Sequence, residues 1–96
     1  MKREQIKFYI DGLDKKLAVY KKAGWKGFTA ELKKWIPPEK GKWAIWAIYV
    51  SFFIGDDEEV ISKGISFYVS KTKKNNEIVF RAVKRLLKRK YSNEKT

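Results

Sequence analysis

The longest apolar segment lies in the middle of the chain and predicts a β-strand. From Trp43 to Ile54 every residue except Ser51 is apolar or aromatic, and the β-branched and aromatic content favours a strand over a helix. The Gly-Asp-Asp sequence at 55–57 supplies turn-forming residues, and the apolar pattern resumes from Val60 to Val69. The pattern therefore predicts a long antiparallel β-hairpin.

The two faces of this hairpin differ in chemistry. With the turn at residues 56 and 57, one face is apolar and consists of Trp46, Ile48, Val50, Phe52, Ile61, Ile65, Phe67 and Val69. The other face combines Trp43, Ile45, Tyr49, Phe53 and Tyr68 with Ser51, Ser62, Ser66 and Ser70. A slip of one residue would exchange the faces, and Gly64 is a candidate bulge. We expect the apolar face to be core, and the other to be covered by a helix, a second subunit or nucleic-acid bases.

The segment from Arg3 to Lys22 predicts an amphipathic helix. Its apolar residues recur at spacings of four, three, four and three, at Ile6, Ile10, Leu13, Leu17 and Tyr20. Asp11-Gly12 would alternatively form a hairpin turn. The helix is favoured because the apolar stripe continues through Gly12 without a change of phase, and Ala23-Gly24 marks its end.

Two shorter helical segments are also predicted. Thr29 is a candidate N-cap for a helix over residues 30–36, which Pro37-Pro38 would end. A C-terminal helix is predicted after a cap at Asn75 or Asn76, with Glu77 in its first turn and an amphipathic pattern from Ile78 to Tyr91. The apolar residues of that helix lie on one side of a helical wheel and its basic residues on the other.

These elements predict one small α+β domain over residues 1–96, with a frayed tail at 92–96. The expected order is a long helix, a short helix, the hairpin and the C-terminal helix. An isolated two-stranded sheet is marginally stable, so pairing of two hairpins across a homodimer would complete it.

The charge of the chain indicates a polyanionic partner. The formal net charge is +12, divided into +6 over residues 1–41, −1 over 42–71 and +7 over 72–96. The helical segments are therefore basic and the hairpin is not. Nucleic acid is the first candidate partner and an anionic membrane surface the second. No segment is long and apolar enough for a membrane span. The C-terminal helix could lie on an anionic surface, but its apolar side is better used against the hairpin, so no membrane association is expected.

The residue types that are missing exclude several classes of function. The chain has neither cysteine nor histidine, which excludes disulfides, Cys/His zinc sites and imidazole catalysis. The charged N-terminus lacks an apolar signal segment, so a cytoplasmic location is expected. The Lys/Glu/Ile/aromatic composition resembles thermophile usage. Phosphate-binding Gly-rich loops and nucleophile elbows are absent, and no cofactor is expected.

The predicted C-terminal helix carries the clearest functional signal. Arg81, Lys84, Arg85 and Lys88 recur at three- and four-residue spacing, and no acid occurs between Ile78 and Tyr91. We call these four residues the basic strip. They can follow a line of phosphates, although most helical charge runs are solvated faces. The complete set of candidate phosphate contacts is Arg81, Lys84, Arg85, Lys88, Arg89, Lys33, Lys34, Lys40 and Lys42.

Aromatic residues supply the second signal. Trp43, Tyr49 and Tyr68 on the serine-rich face are candidates for stacking on unpaired bases. Trp25 and Trp35, with lysines around them, are further candidates. The alternative for each ring is a structural role, in the core, in a dimer interface or as a lid over the core with lysine side chains extending past it.

The acidic run at 56–59 is interpreted as a soluble turn. Four adjacent acids can bind Mg²⁺ loosely, but a metal nuclease needs carboxylates that converge from separate elements. Lys63 follows the run without a second acidic element to join it. We therefore expect neither a metal site nor catalytic residues.

The sequence thus favours a non-enzymatic nucleic-acid-binding protein of low sequence specificity that prefers single-stranded DNA or RNA. The first alternative is a protein-interaction module, such as a viral or regulatory inhibitor or a ribosome-associated factor. The second is a small ribonuclease or toxin that works without histidine, using Lys, Arg and Tyr91.

Overall fold

The structure, a computed structural model, describes residues 1–36 and 44–92. Its elements, in chain order, are α1 (Arg3–Lys22), β1 (Lys26–Trp35), β2 (Ile45–Gly55), β3 (Val60–Phe67) and α2 (Lys73–Lys90). The predicted roles of Lys40, Lys42 and Trp43, the loop at 39–42 and all of the predicted tail but Ser92 lie outside the described residues.

The first helix is confirmed. Helix α1 runs from Arg3 to Lys22 without a break at Gly12, and Leu13 and Leu17 of its apolar stripe are buried. The helix ends at Ala23, and Gly24 follows with a φ of 105°, a conformation that glycine adopts without the steric cost of a side chain.

The hairpin and its two faces are confirmed. Strands β2 and β3 pair antiparallel with Ile48 opposite Phe67, Val50 opposite Ile65 and Gly55 opposite Val60. The predicted bulge at Gly64 is wrong, because this pairing continues without a shift through Ser51 and Gly64. Ile48, Val50 and Phe52 on the apolar face are all buried.

The predicted short helix over residues 30–36 is wrong, because this segment belongs to strand β1. Val50 and Ile48 of β2 lie opposite Ala30 and Leu32, and the register shifts between Lys26 and Thr29. The helical assignment used Leu32, Trp35 and Ile36, whereas burial alternates along the strand, with Phe28, Ala30 and Leu32 less exposed than their neighbours. A strand in the middle of a sheet has backbone N–H and C=O groups along both edges, and β1 pairs with the edge of β2 that β3 leaves free.

The C-terminal helix begins three to four residues earlier than its predicted cap implies. Thr72 is the N-cap, so Glu77 lies beyond the first turn, and neither Asn75 nor Asn76 caps the helix. Asn76 is instead buried, where its amide nitrogen donates to the carbonyl oxygen of Ser70 at 2.6 Å and its oxygen accepts from the amide nitrogen of Val69 at 2.8 Å. These bonds satisfy polar groups that would otherwise be buried unpaired where the chain passes from β3 to α2.

The described residues form two layers. The sheet has three strands in the order β1-β2-β3, and both helices contribute to one core with its inner face, defined as the face that carries Ile48, Val50 and Phe52. Core residues from the helices include Leu13, Leu17, Val79, Val83 and Leu86. A homodimer is therefore not needed to complete the sheet, because β1 supplies the third strand within one chain.

A polar contact joins the end of α2 to the middle of α1. The buried hydroxyl of Tyr91 donates to Asp14, at 2.5 Å from Oδ1, and Lys90 Nζ lies 2.8 Å from Asp14 Oδ2. Lys21 Nζ in turn donates to the carbonyl oxygen of Lys90 at 2.8 Å. These contacts bind the two helices to each other at their polar margin.

Candidate nucleic-acid interface

The sheet has an outer face, which is the face opposite both helices. Because side chains alternate along strands, the strand pairing defines this face. Its members are Thr29, Glu31, Lys33 and Trp35 of β1; Ile45, Ala47, Tyr49, Ser51 and Phe53 of β2; and Ser62, Gly64 and Ser66 of β3, with Tyr68 just beyond. The core that the helices share with the sheet does not include the members of this face, although Ile45 and Ala47 on it are buried. The outer face is the serine-rich aromatic face predicted from the sequence, extended by β1.

A cleft on the outer face brings together three of the predicted stacking residues. Trp35, Tyr49 and Tyr68 line a cavity of about 400 Å³ together with Ala47 and residues 66–67. Trp35 is 40% exposed and Tyr68 47% exposed. We call this cavity the aromatic cleft. Its volume is within the range of small-molecule sites and exceeds that of one planar base.

The floor of the aromatic cleft is formed by Ala47, a small side chain that is itself buried. Ile45 and Tyr49 are its neighbours on the same face of β2, and Lys33 of β1 lies directly opposite Ala47. Tyr68 continues β3 in the same register, on the other side of Ala47. A larger side chain at position 47 would fill the space between the rings. The alanine therefore creates the cleft. Its role was not predicted from the sequence, although it is the smallest residue on an otherwise large-residue face of β2.

Two lysines accompany the rings of the outer face. Lys33 Nζ lies 5.9 Å from the centre of the Tyr49 ring, and Lys26 Nζ lies 5.8 Å from the centre of the Phe53 ring. Lys33 Nζ also lies 3.4 Å from Glu31 Oε1. That ion pair is exposed and contributes about 0–1 kcal/mol, so an arriving phosphate can replace the carboxylate. Lys33 was predicted to contact phosphate, and the structure places it beside the rings that were predicted to stack on bases.

Trp25 lies apart from the aromatic cleft. Its ring packs edge-on against Tyr20 at 6.0 Å and Phe52 at 5.3 Å, at the margin of the core on the inner side of the sheet. Trp25 therefore contributes to the packing at this margin, and its predicted stacking role stays a prediction. Lys34 also differs from Lys33. It lies opposite Trp46, and the alternation of side chains along β1 places it on the inner face of the sheet.

The basic strip lies on the opposite side of the molecule from the aromatic cleft. Val79, Val83 and Leu86 turn one side of α2 towards the sheet, and Arg81, Lys84, Arg85 and Lys88 are exposed on the remaining side. Arg89 is also exposed, but it lies near enough to Asp14 to act on its carboxylate. The sequence suggested one mechanism that combines the strip and the rings. The structure separates them, because residues on opposite sides of a two-layer domain cannot contact the same nucleotide.

A second open cavity lies between α1 and β3. It has a volume of about 530 Å³, and its lining includes Phe8, Gly12, Ile65 and Phe67 as well as the charged residues Asp11, Lys15 and Lys16. Tyr68 lines both this groove and the aromatic cleft. Phe8 is 74% exposed. This groove was not predictable from the sequence pattern, because the position of α1 over the sheet determines it.

The acidic turn is closed by its own hydrogen bonds. Asp56 Oδ1 accepts from the amide nitrogens of Glu58 and Glu59 at 3.1 and 3.2 Å. Within residues 1–36 and 44–92, no three acidic side chains are grouped so that they could hold a metal ion. The same residues contain no helix whose length and apolar character would allow it to cross a membrane.

Comparison with known proteins identifies no relative for this chain: no family model, no curated protein and no solved structure matches it.

Proposed function

We propose that this protein binds single-stranded nucleic acid on the outer face of its sheet, without catalysis and with low sequence specificity. The observation that carries the proposal is the aromatic cleft, in which the rings of Trp35, Tyr49 and Tyr68 surround a floor formed by Ala47. One base would stack among these rings, and Lys33 would contact the adjoining phosphate.

The chemistry of the cleft favours unpaired bases over a duplex. Rings can stack only on a base whose faces are free, and base–aromatic stacking contributes about 1–3 kcal/mol per base with little dependence on base type. The exposed hydroxyls of Ser62 and Ser66 can donate to or accept from base edges and sugars. Bases in a duplex are already stacked on each other and would not enter the cleft.

The charge of the whole molecule supports the same class of partner. A net charge of +12 on 96 residues creates a positive potential that attracts polyanions and accelerates their association. The acidic turn at 56–59 lies at the far end of the hairpin from the aromatic cleft. The repulsion between that turn and phosphates therefore acts away from the proposed binding surface.

The experiment is fluorescence anisotropy of labelled single-stranded DNA, single-stranded RNA and duplex DNA, titrated with protein at several salt concentrations. Tyr68→Ala is expected to weaken single-strand binding about 5- to 150-fold, the equivalent of about 1–3 kcal/mol of stacking. Phe8→Ala is the matched control, because it removes another exposed ring, on α1, and is expected to change the affinity less than twofold.

Equal affinity of Tyr68→Ala and the unaltered protein for single strands would contradict the proposal. Tryptophan quenching, followed in the same titrations, should accompany binding, because Trp35 lines the aromatic cleft.

The groove between α1 and β3 favours a second candidate function, that of a protein-interaction module. The apolar part of its lining and the exposed Phe8 are typical of a surface that packs against protein. This candidate predicts weak, nonselective binding of free oligonucleotides in the same titrations. The ribonuclease alternative has less support, because the Tyr91 hydroxyl it requires is buried and bonded to Asp14.

A further inference from the structure

The proposed function leaves the basic strip without a role. Arg81, Lys84, Arg85 and Lys88 are exposed, and none of them forms an ion pair with an acid of the described ranges. Glu77, one turn before Arg81 on the same helix, makes no such pair either. Solvated helix faces ordinarily carry charges of both signs that pair at three- and four-residue spacing, and the strip does not.

The geometry of the strip suits a phosphate backbone. From Arg81 to Lys88 the helix rises about 10 Å, and duplex DNA carries about six phosphate charges over that length. The ring nearest to the strip, Phe80, is half-buried, and Lys84 Nζ lies 5.5 Å from its centre. No exposed ring of α2 is available for stacking. The strip can therefore contact phosphates but not bases, and a duplex offers the densest row of phosphates.

The strip and the aromatic cleft can be occupied at the same time. The sheet and the thickness of α2 separate them, and a helix with its side chains is about 10 Å across. This separation exceeds the Debye length of about 8 Å at physiological salt. Phosphates bound at one surface would therefore not repel phosphates bound at the other.

We propose that one molecule of this protein joins two nucleic-acid segments, with a single strand in the aromatic cleft and the backbone of a duplex on the basic strip. This inference rests on the proposed function for the single-strand half of the bridge. The duplex half depends on the strip alone and can be tested separately.

The experiment is a capture assay. A biotinylated single-stranded oligonucleotide is held on beads, and a labelled duplex of unrelated sequence is added with or without protein. The unaltered protein is expected to retain the duplex on the beads. The variant Arg81→Gln/Lys84→Gln/Arg85→Gln/Lys88→Gln is expected to bind the single strand within about twofold of the unaltered protein and to retain little duplex. Its log–log salt slope for duplex binding in solution should fall by about 3 to 4, since each lost phosphate contact removes about 0.9.

Two controls test whether the bridge depends on the strip and on a single molecule. The variant Arg3→Gln/Lys15→Gln/Lys16→Gln/Lys22→Gln removes the same charge from exposed positions of α1 and should retain the duplex almost fully. An equimolar mixture of the strip variant with Tyr49→Ala/Tyr68→Ala tests whether one molecule carries both segments. The mixture should fail to retain the duplex, because no single molecule has both surfaces intact.

The outcomes are distinct. Retention of the duplex by the strip variant, or equal loss in the α1 variant, would overturn the role of the strip. Retention by the mixture would show that bridging passes through association of two protein molecules, which would also overturn the inference. If the unaltered protein binds single strands but never retains the duplex, the inference fails and the proposed function stands. If it binds duplex but no single strand, the proposed function fails and the bridge with it.

Discussion

Asp14 and Tyr91 illustrate how single residues position the two helices. Burial alone would raise the pKa of Asp14, but the hydrogen bonds from Lys90 and Tyr91 and the charges of Lys90 and Arg89 outweigh it and hold that pKa below 3.8. Burial, followed by the hydrogen bond to Asp14 and its charge, raises the pKa of Tyr91 well above its usual value. The contact therefore favours an ionised Asp14 and a protonated Tyr91.

The signs of these shifts determine a pH dependence. Because the pKa of Asp14 is lower in the folded state, its contribution to stability is complete above about pH 4 and is lost as the pH falls through the folded value. Because the pKa of Tyr91 is higher in the folded state, its contribution is complete below about pH 10 and is lost at higher pH. At high pH the unfolded chain releases the tyrosine proton and the folded chain does not.

Tyr91→Phe should lower the free energy of unfolding at pH 7 by about 1.5–3 kcal/mol, the usual cost of losing a hydrogen bond to a charged group. Its stability should also fall less steeply than that of the unaltered protein above about pH 10. Urea denaturation at several pH values measures both effects. Tyr68→Phe is the control, because that residue is exposed, and should stay within about 0.5 kcal/mol. An unchanged alkaline slope in Tyr91→Phe would refute the assignment.

Ala47 offers a test of the cleft that leaves every ring and charge in place. Ala47→Leu should place three extra carbons between Trp35 and Tyr68 and weaken single-strand binding about tenfold, because a base can no longer enter. Ser51→Leu adds apolar volume on the same face of the same strand, outside the cleft, and should have little effect. The midpoint of thermal unfolding, measured for both variants, confirms that each is folded. Equal affinities of the two variants would contradict the cleft as the binding site.

At the scale of elements, strand β1 shows what a sequence pattern can and cannot predict. The hairpin, its two faces and α1 were predictable because each has a long, regular apolar pattern. Strand β1 was not, since Leu32, Trp35 and Ile36 fit a helical spacing over a short segment, while the need of β2 for a second partner is a tertiary property. The rings of the aromatic cleft were predicted only as separate candidates. They could not be grouped from the sequence, because Trp35 comes close to Tyr49 and Tyr68 only through the pairing of β1 with β2.

Gly27 should be required for stability, because it lies where the register between β1 and β2 shifts. Its φ is 72°, and a Cβ at this position would come within 2.0 Å of Cε1 of Phe53. Gly27→Ala is therefore expected to lower the free energy of unfolding by about 2 kcal/mol or more, from backbone strain and the displaced ring. Gly12→Ala is the matched comparison, because nothing lies within 4 Å of its Cβ position in the exposed part of α1.

Gly12→Ala should raise the free energy of unfolding by about 0.5–1 kcal/mol, since alanine favours the helix and restricts the unfolded chain. Urea denaturation of both variants measures the two changes in the free energy of unfolding, which should have opposite signs. A loss of stability in Gly12→Ala, or none in Gly27→Ala, would contradict the conformations described for these glycines.

At the scale of the whole molecule, the net positive charge determines how stability depends on salt concentration. A net charge of +12 destabilises the folded state by self-repulsion, and the described residues contain only three ion pairs to offset it. Raising sodium chloride from about 10 mM to about 300 mM should therefore raise the midpoint of thermal unfolding by several degrees, as screening shortens the Debye length from about 30 Å to below about 8 Å. Calorimetry measures this shift. A fall in the midpoint would show that attractive ion pairs outweigh the repulsion.

The two sides of the molecule carry different chemistry, and this difference is the basis of both proposals. The outer face offers rings and hydroxyls with two lysines, whereas the helical side offers exposed cations. The central claim is that a single strand binds to the outer face. The most direct measurement is NMR chemical-shift mapping of ¹⁵N-labelled protein titrated with a short oligothymidine. If the strand binds there, shifts should be concentrated at Trp35, Ala47, Tyr49, Ser66 and Tyr68. Shifts confined to α1 and α2, with the outer face unchanged, would contradict it.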